Sequence, residues 1–161
     1  MDTSVEKYFN RMTEILKKKE LLLNDMLYLT ESQTSAIQSE DLDLLRKLVD
    51  KKQQKIEDIN KLDNEFEIYF ERLKAVSNVA KLEDMNISEF PGAKGLKEAT
   101  ARILAAAGRI SETEKLNNQK SAELKKKLGE QISRIKQSKK VNNAYNPVSH
   151  NTPSYFLDKK K

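Results

Sequence analysis

The sequence predicts an all-α protein: an elongated, antiparallel three-helix bundle of coiled-coil character with a flexible C-terminal tail. Three observations carry that prediction. Neither proline nor glycine occurs before Pro91, so the first part of the chain contains no strong helix breaker. Ala, Leu, Glu, Lys and Arg make up close to half of the 161 residues, the composition of long helices. Apolar residues recur at spacings of three and four, and strand-like alternation is absent.

The first helix is predicted at about residues 2–38. Its apolar face steps through Val5, Tyr8/Phe9, Met12, Ile15/Leu16, Leu22/Leu23, Met26, Leu29 and Ala36/Ile37. The polar run "SQTSAIQSED" then marks a boundary. There Ser39 is expected to cap a second helix, about 40–78, with Glu40 and Asp41 favouring the dipole in its first turn. That helix buries Leu42, Leu45, Leu48/Val49, Ile56, Ile59, Leu62, Phe66, Tyr69/Phe70, Leu73 and Val76, and leaves charges such as Lys51, Lys55, Glu57 and Asp58 outside. At 1.5 Å per residue each helix is roughly 55 Å long, and the short break between them predicts a hairpin.

The stretch "SNVAKLEDMNISEFPGAKG" supplies a hinge at 79–92, because Phe90-Pro91-Gly92 stops or starts a helix. Leu82, Met85, Ile87 and Phe90 are expected to pack this connection down as a short helical turn. The third helix, about 93–141, follows Leu96, Thr100, Ile103/Leu104, Ala107 and Ile110, then turns polar at Glu114, Asn117 and Ser121 before Leu124, Leu128, Ile132 and Ile135. Residues 1–141 thus form one helical domain, and 142–161 a disordered tail.

Several function classes are excluded at this level. Cysteine is absent, so disulfides, thiol chemistry and Cys-based metal sites are ruled out, and a single histidine cannot form an all-histidine metal cluster. That residue, His150, sits between Ser149 and Asn151 in the polar tail and reads as solvated. The four glycines at 92, 95, 108 and 129 form no phosphate-binding loop. We therefore expect no enzyme, no cofactor and no metal. The N-terminus lacks an apolar signal region, and the longest apolar run, "ILAAA", is far too short to cross a bilayer; a soluble, cytoplasmic protein without membrane insertion is expected. Between Lys115 and Lys140 lie nine Lys/Arg against two Glu. No aromatic occurs between Phe90 and Tyr145 to stack on bases, so no nucleic acid is expected; an acidic protein partner or simple solubility accounts for the charge.

Two stretches carry candidate binding residues. In "EKLNNQKSAELKKKL" the polar residues read either as a register-setting layer or as a groove. In the second case Asn117, Asn118 and Ser121 meet an incoming backbone while Leu124, Leu128, Ile132 and Ile135 supply an apolar stripe. A third helix of roughly 65 Å overhangs two of roughly 55 Å, and an overhanging amphipathic end needs a partner. In the tail "AYNPVSHNTPSYFLDKKK", Tyr145, Tyr155, Phe156 and Leu157 are the aromatic and apolar anchors a short linear motif requires.

Together these features resemble the FlgN family of flagellar export chaperones. The matching pieces are "LLLNDMLYLTESQTSAIQSEDLDLLRKLVDKKQQKIEDINKLDNEF", "KLNNQKSAELKKKLGEQI" and the ending "AYNPVSHNTPSYFLDKKK". At the family's Asn-x-x-Asn-leucine signature this chain has Asn118 and then Ser121. The resemblance implies a cytoplasmic chaperone that holds the C-terminal helical segments of hook–filament junction proteins, prevents premature assembly, and brings them to the flagellar type III export gate. It also implies that a tail tyrosine, Tyr145 or Tyr155, helps dock on the gate protein, with Phe156 beside the latter. A rival of another class is a structural coiled-coil spacer or homodimeric scaffold; monomer and homodimer both stay open.

Overall fold

The computed structural model describes residues 3–142, and they form α1 (Thr3–Gln38), α2 (Leu42–Ser77), a 3-10 turn at Leu82–Asp84, and α3 (Gly92–Asn142). Among the described residues there is no strand. The all-α, three-helix expectation therefore holds. The middle of the sandwich is α1: it packs along both α2 and α3, whereas the backbones of α2 and α3 scarcely approach each other.

Cross-helix pairs fix the directions. Arg11 meets Glu65, Lys19 meets Asp63 at 2.6 Å and Asp25 meets Lys55 at 3.3 Å, so α2 runs antiparallel to α1. Phe9 lies beside Phe90 with ring centroids 6.3 Å apart, Glu20 meets Arg102 at 2.9 Å, and Glu40 meets Lys127 at 3.2 Å. Residue numbers rise together along this second set, so α3 runs parallel to α1 and antiparallel to α2.

The α1–α2 turn differs from the expectation at Ser39. The Asp41 N–H donates to Ala36 O and the Glu40 N–H to Ile37 O, the paired bonds of a Schellman closure. Glu40 takes the left-handed position at φ 55°, which is usually glycine's. Ser39 thus belongs to the end of α1, where its Oγ donates to Ser35 O, and α2 starts later. The cap of α2 is Asp41, whose carboxylate accepts the Leu44 N–H at 3.1 Å.

α2 ends at Asn78, also left-handed at φ 58°, a conformation asparagine tolerates better than most side chains. The connection then folds under the bundle. Met85 and Phe90 are buried, and Lys97 holds it by donating to Met85 O at 2.9 Å. Ile87, expected inside, is exposed. Gly92 opens α3 against Phe9: a Cβ there would sit 2.7 Å from the ring. From that point α3 is unbroken through Gly108 and Gly129, each with open space where a Cβ would lie.

The core forms two clusters. One joins Val5, Phe9, Met12, Leu16 and Leu23 of α1 to Leu73 of α2, to Met85 and Phe90, and to Ala93, Leu96, Ala99, Ile103 and Ala106 of α3. The small alanines let α3 lie close to α1 here. The other, at the turn end, joins Leu29, Ala36 and Ile37 to Leu45, Leu48 and Leu124. Ile56 and Val76, expected on the buried face of α2, are exposed. A helix packed closely along one neighbour and only touching the other through long side chains leaves part of its apolar stripe open.

Candidate functional site

At one level, within the turn-end cluster on α1 and between the two clusters on α2 and α3, all three helices change from apolar to polar. Lys52 of α2 is buried, and its Nζ donates to Gln33 Oε1 of α1 at 2.8 Å and to Glu114 Oε1 of α3. Next to it Asn117 Nδ2 donates to the Thr30 carbonyl at 2.9 Å, and Asn117 Oδ1 accepts from Thr34 Oγ1. Asn117 is 1% exposed and Ser121 is also buried. A buried cation or amide costs free energy unless its partners are in register. The layer therefore discriminates against any slip of α3 along the hairpin, as a single buried asparagine does in coiled coils.

Of the two readings of this stretch, the described geometry has Asn117 and Ser121 in the register-setting layer, turned into the bundle. Leu124 is also internal, in the cluster with Leu29 and Ile37. Asn118 is exposed and lines an open cleft of about 310 Å³ between α2 and α3, together with Val49, Gln53 and Ile56. The cleft exists because α2 and α3 diverge on either side of α1.

Past Lys127 the situation changes. Lys127 pairs with Glu40 at the α1–α2 turn, and α3 then continues from residue 128 to 142 beyond the hairpin. At 1.5 Å per residue this overhang is about 22 Å long. Leu128, at its root, is partly buried against the turn-end cluster. Ile132, one turn on, is partly buried, and Ile135 is 54% exposed. Leu128, Ile132 and Ile135 are thus brought onto one side of a helix end that has no neighbouring helix among the described residues. Tyr145, Tyr155 and Phe156 lie outside the described residues.

Lys52 escaped the sequence reasoning, although a signal was present. Each apolar series is interrupted at this level: Gln33 falls between Leu29 and Ile37, Lys52 between Val49 and Ile56, and Glu114 and Asn117 between Ile110 and Leu124. Three gaps that align when the hairpin is folded amount to one layer.

Among the described residues no group of side chains could hold a metal ion, and no helix is long and apolar enough to cross a membrane. A protein-family model described as FlgN protein matches residues 1–152. No curated protein and no solved structure matches the chain.

Proposed function

Because the chain belongs to the FlgN family, a family of flagellar export chaperones, we propose that it holds C-terminal helical segments of hook–filament junction proteins on the overhanging end of α3. Family membership supports a protein partner in flagellum assembly and export. The finer reading rests on one observation: α3 outruns the hairpin and carries Leu128, Ile132 and Ile135 past it. A client helix laid along that strip removes apolar surface from water on both sides, and a junction protein so covered has less exposed surface with which to assemble early. Asn118, exposed in the cleft about 15 Å of helical rise before Leu128, is met only by a client that extends back along α3. Asn117, Ser121 and Leu124 act indirectly on this reading, by holding α3 in place.

In the same proposal the chaperone works in the cytoplasm and the chain after α3 engages the export gate protein. Tyr145 is the first candidate there, since it falls within the matched residues, whereas Tyr155 and Phe156 lie beyond them. The test is calorimetry of the full chain with a C-terminal peptide of a junction protein. Ile135→Asp should abolish binding and leave helicity unchanged, because Ile135 lies outside the core. Leu128→Asp should abolish it too, with a small loss of stability from the turn-end cluster. Undiminished affinity in Ile135→Asp refutes the assignment. The rival, a structural spacer or dimerisation scaffold, predicts a symmetric dimer in sedimentation in place of a one-to-one complex with client.

A further inference from the structure

We propose that the segment received by the α3 overhang is an acidic amphipathic helix, paired to it by a row of lysines beside the apolar strip; this rests on the client-binding reading above. The charge of the molecule is unevenly placed. Residues 1–124 hold twenty basic and twenty-three acidic side chains, whereas residues 125–142 hold seven basic and one acidic, Glu130. The chain's net charge of +5 therefore has its source at and beyond the end of the bundle, where α3 runs past the hairpin.

Within the overhang the placement is ordered. At about 100° per residue, Leu128, Ile132 and Ile135 span an arc of roughly 60°, the width of a helix–helix seam. Lys125, just before the overhang, and Lys136 lie about 20° and about 40° outside one edge of that arc, and Lys140 about 80° outside it. All three are exposed, while the partly buried Lys139 falls within the arc. The same helix uses this pairing chemistry where it is covered: Arg102 meets Glu20, Lys127 meets Glu40, and Glu114 meets Lys52. The seam is continuous with Leu124, which packs among residues of α1 and α2. A helix entering there takes up the position that α1 vacates after Gln38, and acidic residues on it meet these lysines on the flank of α3 opposite Lys127 and its partner Glu40.

Charge decides against the other occupants. A second copy would bring the same lysines against these, and like charges repel. A bilayer surface calls for a broad apolar face with large aromatic side chains; this arc is narrow, and no aromatic lies between Phe90 and Tyr145.

The test uses the full chain and two labelled synthetic amphipathic helices of about twenty residues, long enough to hold helical structure on a partner. Both carry the same Leu/Ile seam; one is bordered by Glu, the other by Lys. Fluorescence anisotropy should show the Glu-bordered peptide binding roughly ten-fold tighter, the combined effect of three partly exposed ion pairs. That preference should shrink as salt rises from about 0.05 M to about 0.5 M. The triple variant K125E/K136E/K140E should invert it. Equal affinity for the two peptides, or a triple variant without inversion, overturns the acidic-partner proposal while client binding through the strip still stands. Ile135→Asp should remove binding of both peptides; if it does not, the strip itself is not the site and the client-binding reading falls as well. Tighter binding to vesicles of anionic phospholipid than to the Glu-bordered peptide, or dimerisation of the full chain in sedimentation, also overturns it.

Discussion

The two ends of this molecule are built on opposite terms. At the end where α1 begins, Phe9, Met12, Leu73, Met85 and Leu96 are closed off from water by helices and by the folded connection alike. At the turn end a smaller cluster packs around a polar layer, and α3 continues past it beyond the hairpin. The first arrangement spends apolar surface on stability. The second leaves apolar surface unspent and invests in register, through groups that are costly when misaligned. A binding protein made of three helices needs both, since a free strip is useful only on a helix that cannot slide.

The largest effect expected from this contrast is at Leu73. It is 0% exposed, and Leu73→Ala should cost about 3–4 kcal/mol in chemical denaturation, as deletion of a well-packed core leucine does. A loss below about 1 kcal/mol would mean that the closed end collapses around the cavity, and the contrast would weaken. The next effect is at the polar layer. Glu114→Leu removes the carboxylate from the buried Lys52 ammonium, which keeps Gln33 among its partners, and should cost about 2 kcal/mol; Glu114 is itself 34% exposed, which moderates the loss. Adding Lys52→Met should restore stability to within about 1 kcal/mol of the parent, because the buried charge that lost its carboxylate is then gone. If the double variant is no better than the single, the layer acts through packing and not through charge. That double variant should also loosen the register of α3, visible as broadened distances between spin labels on α1 and α3. The smallest effect is on α3 itself: Gly108→Ala should stabilise by about 0.5–1 kcal/mol, since the residue is exposed, helical and free of any clash. Thermal melts of the two proteins side by side are sufficient to see it.

Much of this architecture was readable from spacing. Helices follow from a long stretch without Pro91's kind of interruption and from the regular steps of Val5 to Ile37 and Leu42 to Val76. Burial was less readable, because it depends on how many neighbours a helix has. Ile56 and Val76 obey the pattern and are still exposed, since α2 packs closely along α1 and its backbone scarcely approaches α3. Ser39 has the right chemistry for a cap and misses the role by two positions, because the Schellman closure at Glu40 draws it into α1. Leu124 and Leu128 look alike in sequence. Where α1 stops decides that Leu124 is core and Leu128 is its edge. The layer around Lys52 is a property of three segments at once, and no single helical pattern contains it.

An odd number of passes has a directional result. Since α3 repeats the heading of α1, the start of the first helix and the finish of the last lie at opposite poles, roughly 75 Å apart by helical rise. A fluorophore, affinity handle or surface tether attached ahead of Thr3 therefore sits at the far pole from Ile135. Immobilised through that pole, the molecule presents the far end of α3 outward to the flowing solution, and a protein held this way is oriented as well as attached.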